Sequence, residues 1–166
     1  MSTSTSLKSL ALITLTATAT TLLIQACGGG AVAQTASDAD VIEGVWESVI
    51  TVKDCTSSAV FTTFRGVSVM HRGGTLSADN SQPVATRGAA FGTWKRGTGN
   101  AYTTNFVFMN FNPDNTLAGT QKVQRNLTLA ADGNSLTGIT AIKILDASGV
   151  VLRQACATET GVRTAF

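Results

Sequence analysis

The chain has 166 residues, of which 43% are hydrophobic and 13% charged, with a formal net charge of +2. That length accommodates one domain with a core of its own. The near balance of charge excludes a nucleic-acid binder with a basic stripe, and so apolar a composition excludes charge-driven disorder.

In chain order, residues 1–26 read first, as a secretory signal. Lys8 supplies a positive start, and the stretch from Leu10 to Ile24 is uncharged but too short and too Thr-rich for a membrane span. The run ends in Leu23-Ile24-Gln25-Ala26-Cys27. A small residue before Cys, with an aliphatic one at the third position upstream, resembles the bacterial lipobox. The resemblance implies cleavage before Cys27, acylation of Cys27, and the membrane as a partner through that lipid. Two or three acyl chains anchor stably, at about 0.8 kcal/mol per buried CH₂. Gly28, rather than Asp, after the Cys implies sorting to the outer membrane, so the expected location is the bacterial cell envelope, facing the periplasm. The alternative is an ordinary signal cut elsewhere. Residues 27–41, small and polar without periodicity, read as a lipidated flexible tether, and 42–166 as the folded domain.

With Cys27 assigned to lipid, Cys55 and Cys156 remain as an even pair in an oxidising compartment, and a disulfide between them is expected. The alternative is two buried free thiols. No stretch after residue 42 carries apolar residues at helical spacing. Thr, Val, Ile and Phe dominate, broken by turn residues, and predict eight strands at 43–54, 60–71, 74–79, 88–96, 101–111, 116–130, 135–146 and 149–160. Gly73-Gly74 and Asp132-Gly133-Asn134 tolerate the positive φ of tight turns, and Asn112-Pro113-Asp114-Asn115 carries Pro where a type I turn wants it. Such short connections pair consecutive strands antiparallel. The expected fold is all-β, a single antiparallel up-and-down barrel of about eight strands, because closure buries one face and hides both edges. A β-sandwich is the alternative.

Alternation assigns faces. Over 117–129, Arg125 shares a face with Val123, Leu127 and Leu129; in 60–71, Arg65 shares one with Phe61, Val67 and Val69. An Arg among apolar residues needs a partner. One reading points Arg125 and Arg65 into a barrel cavity, where they hold an acidic ligand head group beside Phe106 and Phe108. The other has a bulge shift the register and release the guanidinium to solvent. A faint repeat is also present: Gly44-Val45-Trp46 recurs as Gly92-Thr93-Trp94, Phe61-Thr62-Thr63 as Tyr102-Thr103-Thr104, and Thr75-Leu76 as Thr116-Leu117.

Gly44-Val45-Trp46 opens the first strand, and Arg163 follows the last. This pairing resembles the lipocalins and the wider calycin barrels. There the Trp of a G-x-W plugs the closed end and a late Arg packs across it, which implies structural roles for Trp46 and Arg163. It further implies a barrel mouth open to a small apolar ligand. Asp146-Ala147-Ser148-Gly149 stands where the family carries a T-D-Y-like turn, without its Tyr. The barrels of allene oxide cyclases and dirigent-type proteins are similar in size.

His71 is the sole histidine, no residues have metal-ligand spacing, and no nucleophile-elbow, P-loop or dinucleotide motif is present. No catalytic residue, metal or cofactor is therefore assigned. The expected function is that of a lipid-anchored envelope protein binding a small apolar or amphipathic molecule, with no nucleic acid and no assigned protein partner. The alternatives are a structural or interaction lipoprotein with a filled barrel and an outer patch around Phe106, Phe108 and Phe111, and a barrel isomerase.

Overall fold

The computed structural model describes residues 42–165. The secretory signal, Cys27 and the tether lie outside the described residues. Eight strands follow one another: β1 (Gly44–Lys53), β2 (Val60–Met70), β3 (Thr75–Asn80), β4 (Ala90–Arg96), β5 (Ala101–Phe111), β6 (Leu117–Leu129), β7 (Ser135–Asp146) and β8 (Val151–Arg163). Each pairs antiparallel with the next, and β8 closes onto β1 in a register running from Trp46 opposite Arg163 to Lys53 opposite Cys156. The sheet is a closed up-and-down barrel, so it has no edge strand to protect and the sandwich alternative falls. Every expected strand is present; the last runs on to Arg163, because Glu159, Gly161 and Arg163 still pair with β1 or β7.

Side-chain carboxylates tie the turns. Asp54 Oδ1 accepts the N–H groups of Thr56 and Ser57 at 2.9 and 2.8 Å, and Asp146 Oδ1 accepts those of Ser148 and Val150, each at 2.9 Å. Asp114 Oδ1 accepts from Thr116 N–H and from its hydroxyl. These bonds stabilise the charged form, so all three carboxyls sit below their ordinary value: by the Ser57 backbone first at Asp54, by the Thr116 hydroxyl at Asp114, and by the Ser148 hydroxyl at Asp146. Asn115, at φ 65°, completes the Asn112–Asn115 turn, whose closing bond is 2.9 Å long.

Cys55 and Cys156 are joined by a disulfide with a Cα separation of 5.0 Å. Cys156 alternates with the buried Ala155 and Ala157, which places the bridge on the outer surface, across the β1–β8 seam at the end where β1 finishes.

The opposite end is solid. Trp46, Met70, Leu76, Tyr102, Leu127 and Leu136 pack there as one buried cluster. The Trp46 indole N–H donates to the Ile42 carbonyl at 2.9 Å, and the Arg163 guanidinium lies 4.4 Å from the Trp46 ring centroid. Gly44 explains why this arrangement needs its glycine. Its φ is +128°, and a Cβ would come within 2.7 Å of Arg163 Nη1. A side chain at Gly44 would push the guanidinium off the indole.

The faint repeat is not a duplicated unit. Trp46 opens β1 and Trp94 closes β4, Phe61 is on β2 and Tyr102 on β5, and Thr75 opens β3 while Thr116 precedes β6. Each shift spans three strands, which reverses chain direction in an up-and-down barrel. The two tryptophans reach the same buried cluster from strands of opposite sense.

Outward positions are mixed. Lys95, Lys122, Lys143 and Gln154 lie there beside apolar residues such as Phe91 and Ile139. Charged and apolar side chains are thus interspersed over the outside. Phe106 and Phe108 point into the barrel, so the patch expected around them and Phe111 does not exist on the outside. The outward apolar residues of that region are Phe91, Val107 and Met109, which are 60%, 42% and 56% exposed. A bulge between Asn110 and Phe111 breaks the alternation there, and Phe111 packs near Gly88.

Candidate functional site

The half of the barrel nearer the disulfide is hollow. A cavity of about 210 Å³ opens at that end, walled by Ile50, Val52, Phe108, Val123, Ile142 and Ile144 among others. Small residues make the room: Ala90 and Ala155 are inward-facing, buried and line the cavity, and Ala157 belongs to the same buried cluster. Gly92 serves the same end on β4. A Cβ there would sit 2.6 Å from Phe106 Cα, so only glycine lets β5 bring Phe106 in so close.

A polar layer separates this cavity from the solid end. Ser48, Ser68, Thr104, Arg125, Thr140 and Glu159 are all buried, and they come from six different strands. Arg125 is its centre. Its Nε donates to Thr104 Oγ1 at 2.9 Å, and its Nη1 donates to Ser68 Oγ at 3.1 Å and to Glu159 Oε1 at 3.2 Å. The side chains of Arg125 and Glu159 are 5% and 1% exposed, so the pair is fully desolvated. Phe106 covers it, with its ring centroid 4.9 Å from the guanidinium carbon. Register explains the meeting: Thr104, Arg125 and Thr140 lie opposite one another on β5, β6 and β7, and Glu159 pairs with Gly138 one step along.

This layer is not saturated. Arg125 Nη2, Thr140 Oγ1 and Ser48 Oγ are buried with no hydrogen-bond partner. Arg125, Thr140, Ser68 and Glu159 all border the cavity. These unpartnered atoms belong to residues of the floor of a mainly apolar cavity, whose lining also includes Asp79, Arg87, Gln121 and Arg153.

The rim carries a second cation. Arg87, on the β3–β4 connection, is 5% exposed in its side chain and pairs through Nη2 with Asp79. Nη2 also reaches the Asn80 carbonyl at 3.0 Å, and the guanidinium lies 5.8 Å from the Phe108 ring centroid. The Arg87 hydrogen bond, then the Asn80 N–H, hold the Asp79 carboxyl below its ordinary value. Arg153 stacks 5.5 Å from the ring of Phe61 at the same mouth.

The sequence-assigned residues divide accordingly. Arg125, Phe106 and Phe108 come together around the cavity. Arg65 does not join them: its side chain is 74% exposed and bonded to Glu47 at 2.9 Å on the outside. The β2 face that turns inward carries Gly66, Ser68 and Met70, while apolar Val67 and Val69 share the outer face with Arg65. Alternation in β2 is ambiguous because both faces hold apolar residues. Glu159 escaped the sequence reading, although it shares the period-two face of Ala155, Ala157 and Gly161, where an acid stands out among small residues. His71 lies at the far end of the barrel, exposed, with Nε2 3.0 Å from Ser77 Oγ. Among the described residues no group of His, Cys, Asp or Glu could hold a metal ion. Comparison with protein families and with curated proteins finds no match to this chain, so the geometry alone carries the functional argument.

Proposed function

We propose that the chain is a lipid-anchored envelope protein that binds a small apolar or amphipathic molecule inside its barrel, in the manner of lipocalin-type proteins. The observation that carries this reading is the cavity of about 210 Å³ with mainly apolar walls and residues bearing unpartnered polar atoms at its floor. Sites for small molecules combine such walls with a few convergent polar groups. An engineered apolar cavity of about 150 Å³ already takes up benzene, so this volume suits one ring with a short substituent. The Trp46–Arg163 plug supports kinship with calycin barrels, and the lipobox-like Cys27 supports anchorage, with the domain facing the periplasm.

One experiment reads both parts. Protein isolated from bacterial membranes is expected, by native mass spectrometry, to carry acyl chains on Cys27 and a small molecule that is lost on unfolding. Ala155→Phe fills the cavity from a buried position on β8, and this variant should retain the acyl mass but lose the small molecule. An unmodified Cys27 would refute anchorage. A wild type without a bound molecule, and indifferent to added toluene, would refute the binding reading.

A further inference from the structure

The cavity floor specifies the chemistry of what it holds. The guanidinium of Arg125 suggests an anion site, as alternation alone implies, but Glu159 cancels its charge at 3.2 Å. A carboxylate placed against Arg125 would also lie against Glu159. At the floor it would be stripped of water without a net opposite charge to replace that water, because Arg87 is paired with Asp79 and Arg153 is stacked on Phe61, away from the Arg125–Glu159 pair. Arg125 still has N–H groups to give. Nε and Nη1 are engaged, and Nη2 has no partner although its residue is 96% buried by exposure of 4%. Thr140, 8% exposed, adds a hydroxyl in the same condition. An unmet donor in so dry a place is costly, and a guest that meets it recovers that cost as affinity.

We propose that the buried end of the ligand is an uncharged oxygen function, a carbonyl or hydroxyl, which accepts a hydrogen bond from Arg125 Nη2 beside Thr140, and that Glu159 sets the site against carboxylates. This rests on the cavity-binding reading above and narrows it to neutral, oxygen-bearing molecules with an apolar ring or short chain. The Phe106 ring stacked on the guanidinium and the apolar walls above it receive the rest of the molecule.

Four probes of one shape separate the cases: toluene, benzyl alcohol, acetophenone and benzoate, titrated into the full chain at neutral pH and followed by NMR. Acetophenone and benzyl alcohol are expected to bind about tenfold more tightly than toluene, the gain of one hydrogen bond to a charged donor. Benzoate is expected to bind more weakly than toluene. Glu159→Gln keeps the shape of the floor but leaves Arg125 as a net cation, and should reverse the order so that benzoate binds ahead of acetophenone. Thr140→Val is a second variant of nearly unchanged shape. It removes an unmet hydroxyl, so it should be at least as stable to heat as the wild type, and it should narrow the margin of benzyl alcohol over toluene. Benzoate as the tightest wild-type ligand, or toluene equal to acetophenone, would overturn this inference while leaving cavity binding intact. Failure of all four, toluene included, would instead overturn the binding reading.

Discussion

Arg125→Met is expected to destabilise the barrel by about 3–5 kcal/mol, because it leaves Glu159 charged and unpaired in the interior. The Glu159 side chain is 1% exposed, and both of its oxygens take their hydrogen bonds from Arg125 Nη1, at 3.2 and 3.4 Å. Only neutral hydroxyls remain in the layer, those of Ser48, Ser68, Thr104 and Thr140, and none brings a positive charge to replace the guanidinium. The double variant Arg125→Met/Glu159→Leu removes both charges together and is expected to recover most of the loss, because an apolar pair of similar volume avoids the desolvation of two ions. Urea denaturation of the wild type, both single variants and the double variant closes the cycle and yields the coupling directly. A single variant costing less than about 1 kcal/mol, as exposed ion pairs do, would mean that water reaches Glu159 and that the floor is not dry.

Removing the disulfide is expected to cost about 4 kcal/mol. The bridge spans 101 residues in sequence, and closing a loop that long restricts the unfolded chain strongly. It also ties the one pair of strands that are neighbours in space but remote in sequence, since β8 must find β1 before the barrel can close. Cys55→Ala/Cys156→Ala should therefore fold to the same barrel with a lower urea midpoint, and its folding rate should fall along with its stability. Addition of reductant to the wild type should reproduce the loss. Equal midpoints with and without the bridge would show that the seam is held by β1–β8 pairing alone.

The strands were legible because half-buried sheets impose a period of two, and turn residues punctuate it at Gly73-Gly74, Pro113 and Gly133. Closure was legible more indirectly, from strand number and the burial of edges. The site was only half legible. Arg125 betrayed itself by sitting between Val123 and Leu127 on a mainly apolar face. Its partner was marked only as an acid on a face of small residues, and their pairing across the lumen depends on barrel shear, which no local pattern encodes. Arg65 shows the converse error: Val67 and Val69 lie on the outside of β2, so an apolar face there marked the surface and not the lumen. Room for the cavity comes from small residues on two strands, Ala90 on β4 and Ala155 on β8, which only closure of the barrel brings to one lumen.

The barrel is solid at the Trp46 end and hollow at the other, with Arg125 and Glu159 as the partition. Xenon reports this most directly, because it enters dry apolar cavities without any demand for hydrogen bonds. In methyl-labelled protein under xenon pressure, the methyl signals of Val123, Ile142 and Ile144 are expected to shift in a saturable manner, while those of Leu127, Leu129 and Leu136 stay in place. Shifts in neither group, or in both alike, would contradict it.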